Sequence, residues 1–200
     1  MRPYNDSVVT VQLQVGGLRA ALDRLEVASA DPASTPQVTF PPLFEALSWT
    51  ATLDERIGII WRPDGRELKW RWRQRVPDGA LLSALAWTRN LVHHQWADAV
   101  RLEPTGHGLY PSSDLLPSAD LLPRADHAWV WAPLVDLPER RLRAGQARPA
   151  PHEAAAAETY GEHFAGTPAI QTLRALLPHF EWVADLLEWP QQTSRTGSDT

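Results

Sequence analysis

The sequence predicts a mainly α-helical protein, an antiparallel bundle of about five helices with a small Trp-rich β element. Three observations lead there. Apolar residues recur at alternating spacings of three and four along much of the 200-residue chain, the period of a helix with one buried face. Hydrophobic residues make up 44% and charged residues 22%, which suits one well-buried core of this length rather than two. Between Lys69 and Val76 the pattern changes to period two, with basic residues alternating against tryptophans.

Taken in order, the first helix is predicted from about Ser7 to Ala28. Val8, Val11, Val15, Leu18, Leu22 and Leu25 form its stripe, and Asp6 or Ser7 serves as N-cap. Val9, Val11, Leu13 and Val15 also alternate like a strand, but only the helix accounts for the three leucines. Residues 29–37, rich in Ala, Ser, Pro and Asp, read as a loop. A second helix is expected to begin at Pro41-Pro42 and run to about Ile57, carrying Phe44, Leu47, Trp49 and Leu53. An extended, β-like insert follows at about residues 58–77. Its two runs flank the turn Pro63-Asp64-Gly65, and the second places Lys69, Arg71, Arg73 and Arg75 opposite Trp70 and Trp72.

The third helix is placed at about Ala80–Arg101 with Asp78 as N-cap, before a long irregular connection at about residues 103–126. His127–Ala132 reads as a short strand beside the Lys69–Arg75 run. A fourth helix spans His152–Ala165 and stops at Gly166. Thr167-Pro168 opens the fifth, whose stripe is Ile170, Leu173, Leu177, Phe180, Ala184 and Leu187. Pro178 should kink or split it, and Trp189-Pro190 should end it. Residues 1–189 thus form one domain, and the polar residues 190–200 form a disordered tail.

Composition narrows the function classes. A net charge of −5 argues against a wholesale nucleic-acid coat, while leaving room for a local basic patch. The absence of cysteine excludes disulfides and thiolate metal sites. No apolar run approaches the roughly 20 residues of a bilayer span. Met1–Asp6 lacks the layout of a signal peptide, so a cytoplasmic protein is expected. Lys69 is the one lysine beside 18 arginines, as a GC-rich codon bias would give, which weakens arginine richness as a sign of phosphate binding. The 10 tryptophans call for packing or an interface. No Walker loop, G-x-S-x-G elbow or dinucleotide G-x-G-x-x-G is present.

One segment carries chemistry-bearing residues at suggestive spacing: Arg89-Asn90-Leu91-Val92-His93-His94. Arginine offers a rigid fork of donors for phosphate, and histidine titrates near neutrality and can move a proton. Arg89 and His93, four apart, share a helical face. On an ideal helix His94 lies about 140° round from Arg89. The set suits RNA cleavage by attack of a ribose 2′-hydroxyl on its own phosphate, with Arg89 stabilising charge and His94 transferring the proton. No metal or other cofactor is called for. His93, His94 and Asp98 lack the four-residue histidine spacing of zinc helices.

At Arg89, Asn90 and His94 the sequence resembles the HEPN family, whose signature is an arginine, a polar residue, three further residues and a histidine. The match covers about ten residues, and Trp96 stands where members of toxin–antitoxin pairs often carry an aromatic. The resemblance implies a metal-independent endoribonuclease with a toxin or phage-defence role, acting as a homodimer and paired with an antitoxin or other protein. Arg89, Asn90 and His94 would be catalytic. His93, Trp96, Arg71 and Arg73 would help bind RNA, the arginines on phosphates while tryptophans stack bases. Beside this stands a plainer account. Arg89 and His94 pair with neighbouring acids, His93 is structural, the Lys69–Arg75 arginines are a solvated edge, and the chain is a non-catalytic interaction module with a Trp-rich surface.

Overall fold

The computed structural model describes residues 3–31, 33–60, 69–92, 96–104, 127–138 and 149–195, with side chains for 10–31, 33–60, 72–92, 96–104, 127–138 and 149–187. Five α-helices, a two-stranded sheet and three short 3-10 segments make up the regular structure of these residues: α1 (Pro3–Ala30), α2 (Pro36–Ile60), α3 (Gly79–Leu91), α4 (Pro151–His163) and α5 (Ala169–Arg195), with β1 (Val100–Pro104) and β2 (His127–Trp131) between α3 and α4. The mainly helical class with a small β element is what the periodicity predicts.

The stripe of α1 is buried from Val11 through Val15, Leu18 and Leu22 to Leu25. It packs on α2 and α5. Arg24 pairs with Glu45, and a Cβ on Gly17 would come 2.6 Å from Cε2 of Trp49. Residues rise along one helix as they fall along the other, so the pair is antiparallel. The absent side chain at Gly17 lets the indole lie on the helix backbone. Hydrogen bonding from Arg24, with Trp49 Nε1 adding a second bond at 3.3 Å, holds the Glu45 carboxyl below its usual range. Toward α5, Arg174 reaches Asp23 at 2.6 Å and Glu26 at 2.7 Å, while Arg19 meets Glu181 at 2.5 Å. That contact is antiparallel too.

α2 starts earlier than its prolines suggest. The Thr35 carbonyl accepts the N–H groups of Val38 and Thr39 at 2.9 and 3.2 Å, so Pro36 is the first helical residue, where its missing N–H costs nothing. Pro41 and Pro42 lie inside the helix. The carbonyls they leave unbonded belong to Gln37 and Val38, both exposed, where water can replace the lost donors. α5 likewise passes through Pro178, on its exposed face, and through Trp189-Pro190 to Arg195, so helix occupies the first part of the expected tail. Residues 196–200 lie outside the described residues.

Two expectations are corrected between α2 and α4. The Lys69–Arg75 run is a 3-10 helix, not a strand. Among its described side chains and the residue after it, Trp72 and Val76 are buried, and Trp72 lies against Phe180 at a ring separation of 6.3 Å. Arg73 and Val76, three apart, share the side that a turn of three residues repeats, next to Trp72. The predicted insert also loses its start, since Gly58–Ile60 are the end of α2, and residues 61–68 lie outside the described residues. The third helix stops at Leu91 rather than Arg101. Trp96–Asp98 is a short 3-10 turn, and Val100–Pro104 is β1. β2 therefore pairs with β1, antiparallel, from Val100 opposite Trp131 to Pro104 opposite His127. Residues 105–126, most of the predicted connection, lie outside the described residues.

The other edge of β2 is occupied by the turn between α4 and α5. Trp131 donates its N–H to the Thr167 carbonyl at 3.0 Å and accepts from Gly166 N–H at 2.9 Å. Gly166 adopts φ 74°, a left-handed conformation that a β-carbon would strain. Around Trp131 the core is aromatic. Tyr160, Phe164 and Trp96 contact its ring, with centroids at 6.3, 5.1 and 6.4 Å. Burial pushes the Tyr160 phenol pKa up, and its hydroxyl donates to the Ala132 carbonyl at 2.6 Å. Among the described residues no helix is long and apolar enough to cross a membrane.

Candidate functional site

The site begins where α3 begins. Asp78 precedes the helix in a left-handed conformation, φ 53°, and its side chain makes no capping bond. Gly79 instead donates its N–H to Val76 at 3.1 Å. A β-carbon on Gly79 would fall 1.6 Å from the Arg73 carbonyl oxygen, so the 3-10 helix and the first turn of α3 touch backbone to backbone. From there Leu82, Leu85 and Ala86 turn inward, and the same face delivers Arg89 in the last turn. A cation suits that position, since helix carbonyls gather partial negative charge there.

Arg89 leans across to α2. Its Nη1 donates to the Ala51 carbonyl at 3.1 Å, and its Nη2 stands 3.9 Å from Glu55 Oε2. The Arg89 side chain is 17% exposed and that of Glu55 56%, so the arginine is held in a wall while the glutamate is more than half exposed. One residue earlier on α2, Asp54 takes Arg73 in a two-bond grip, Nε to Oδ1 at 2.6 Å and Nη2 to Oδ2 at 2.5 Å. Consecutive acids of one helix thus hold arginines from two other segments, and the four charges cancel.

A shallow cleft runs along these residues, lined by Thr50, Ala51 and Asp54 of α2, by Leu82, Leu85, Ala86 and Arg89 of α3, and by Trp96 and Phe180. Its volume is about 230 Å³ including the open mouth, but its closed part has room for only about one water molecule. No nucleobase fits inside. Chemistry on a large substrate would take place at the rim, where Arg89 emerges.

Of the residues singled out in sequence, Arg89 and Asn90 sit side by side in the last turn of α3, and Asn90 is exposed. His93 and His94 lie outside the described residues. Trp96 is 3% exposed and packed against Trp131, a core position that also backs the cleft. Arg73 is engaged by Asp54, and the side chain of Arg71 lies outside the described residues. Among the described residues no three His, Asp or Glu side chains converge as a metal site would need. Asp54 and Glu55 were not singled out. Asp54 could have been, because it falls among Thr50, Leu53 and Ile57 on the buried face of α2, where a carboxylate needs a partner. Comparison of the chain with family models, curated proteins and solved structures gave no match.

Proposed function

We propose that the chain is a HEPN-like, metal-independent endoribonuclease in which Arg89 binds and stabilises the scissile phosphate and His94 transfers the proton. Asn90 orients the phosphate or the imidazole. The attacking group is the 2′-hydroxyl of the substrate itself, so the protein need supply only proton transfer and charge stabilisation. The observation that supports this reading is the end of α3. An unbroken helix would hold residues 89 and 94 about 140° apart. α3 stops at Leu91, two residues after Arg89, which removes that constraint on the segment leading to His94. A toxin or defence role, dimerisation and an antitoxin partner belong to the same proposal.

The test is cleavage of a mixed RNA substrate in EDTA by wild type, Arg89→Ala and His94→Ala. Wild type should cleave, and each variant should lose at least about a hundredfold, the usual worth of a general acid–base group. No cleavage by wild type, or equal cleavage by all three, overturns the proposal. The interaction-module reading has one observation of its own. Trp182 (39% exposed) and Leu186 (42%) lie four residues apart on the outer face of α5. If wild type is inactive on RNA, that face is the one to probe.

A further inference from the structure

We propose that the outer face of α5 is the contact between two copies of this chain, packed antiparallel about Pro178. The proposed ribonuclease dimer has no surface assigned to it, and the exposed Trp182 of α5 has no occupant. One contact supplies both. It depends on neither RNA binding nor cleavage and its test contains no RNA, so it and the ribonuclease reading can fail separately.

A helix on the outside of a bundle ordinarily turns charged residues to water. α5 turns Gln171, Ala175, Pro178, Trp182 and Leu186 outward instead, all exposed and spaced by three or four, so they form one ridge along the helix. The charges flanking that ridge are committed to α1. Arg174 pairs with Asp23 and Glu26, and Glu181 with Arg19. Asp185 is the exposed charge beside the ridge. Scarce charge around an exposed tryptophan is the composition of an interface core.

The ridge complements itself. In two antiparallel helices that cross at Pro178, positions about equally far before and after that residue meet. Trp182 of one copy then lies over Ala175 of the other, a large side chain against a small one, which lets the helices approach closely. Gln171 lies opposite Asp185 of the other copy and donates its amide N–H to the carboxylate. Pro178 leaves a further acceptor. It has no N–H, so the Arg174 carbonyl one turn earlier lacks its helical donor. That carbonyl opens toward the exposed Pro178, at the height of the other copy's indole, whose N–H takes a partner when it is buried. No charge of the ridge faces its like in this register. Each contact occurs twice about the two-fold axis, and the pairing closes at two copies.

The experiment is sedimentation velocity of the full chain from about 1 to 200 µM, for wild type, Trp182→Ala, Gln171→Glu and Gln171→Glu/Asp185→Lys, with circular dichroism melts to check folding. One helix on its twin stands at the small end of specific interfaces, so wild type should dimerise with a Kd of roughly 1–50 µM. Trp182→Ala should weaken the dimer at least about tenfold, as loss of a central aromatic anchor does. Gln171→Glu sets a carboxylate against Asp185 of the other copy and should weaken it about fivefold or more. Adding Asp185→Lys turns that repulsion into an ion pair and should return the affinity to within about threefold of wild type. Residues 171 and 185 are roughly 20 Å apart along one helix, so they answer each other only across a dimer. If Trp182→Ala fails to fold, the variants at Gln171 and Asp185, both exposed positions, decide alone. A wild type that stays monomeric, a dimer that folded Trp182→Ala leaves intact, or a double variant as weak as Gln171→Glu would each overturn the inference, the first in favour of a partner of another sequence.

Discussion

The Asp54–Arg73 pair should be the most consequential ion pair among the described residues, and replacing Asp54 with alanine tests that. Exposed pairs contribute about 0.2–1 kcal/mol, whereas removing one partner of a buried pair costs about 3–5 kcal/mol. With side chains 15% and 13% exposed and two hydrogen bonds at 2.6 and 2.5 Å, this pair lies nearer the buried limit. Asp54→Ala should therefore cost about 2–3 kcal/mol, because it leaves Arg73 half-buried without its carboxylate. For a chain of 200 residues that lowers Tm by roughly 4–12 °C. The assay is urea unfolding followed by circular dichroism, for Asp54→Ala, Arg73→Met and the double variant. The double-mutant cycle should return a coupling of about 1.5–2 kcal/mol. Arg24→Ala, which breaks a pair with side chains 53% and 45% exposed, should cost no more than about 1 kcal/mol. A coupling below about 0.5 kcal/mol, or an Arg24 effect equal to that of Asp54, would refute the reasoning from burial.

Two glycines should respond in opposite directions when changed to alanine. Gly79→Ala should destabilise by about 1–3 kcal/mol in urea unfolding, because its β-carbon meets the Arg73 carbonyl at 1.6 Å. Gly16→Ala has open space and a helical backbone, and should stabilise by about 0.5–1 kcal/mol. Tyr160 gives a pH prediction. Burial raises its folded pKa above the unfolded value near 10, so its contribution is intact below about pH 10 and is lost progressively as pH rises through the folded value. Absorbance at 295 nm should show one of the three tyrosines ionising only as the protein unfolds, and Tyr160→Phe should abolish that delayed step. Trp96→Ala should cost about 3–5 kcal/mol in stability, as a core truncation does, and a variant of wild-type stability with altered RNA binding would contradict its placement in the core.

Much of the fold was legible because long helices repeat their pattern often enough to outvote local ambiguity. The α1 stripe could be mistaken for a strand only until Leu18, Leu22 and Leu25 were counted. β2 was also readable, since His127–Trp131 is short, β-branched and aromatic, and bounded by turn formers. The errors fall where two periods share positions. Trp72 and Val76 lie on one side of a strand, four residues being two of its periods, so the burial of that pair fits a strand although the segment is a 3-10 helix. The stripe Leu85, Arg89, Trp96, Val100 fits a continuous helix, yet Trp96 and Val100 reach the core from a 3-10 turn and a strand. The prolines misled about where α2 begins, because surface water can tolerate a proline that a buried helix could not. At the candidate site, Arg89 and Asn90 were visible as residue types. The contact of Arg89 with Ala51 and Glu55, and that of Arg73 with Asp54, were not, since those partners come from another helix and no spacing in sequence reports which helices meet.

The turn between α4 and α5 lies along β2, and this has a consequence for how the protein is made. A two-stranded sheet alone is marginal in water, and here the backbone bonds on its second edge come from Gly166 and Thr167. α1 leaves the ribosome before α5 and has one side waiting for it. The sheet and the first helix must both wait for the last third of the chain. Translation therefore releases a nascent protein whose α1–α2 hairpin lacks α5 along one side until residues as far as Glu181, the partner of Arg19, clear the exit tunnel. That interval is when a chaperone would have the most to hold.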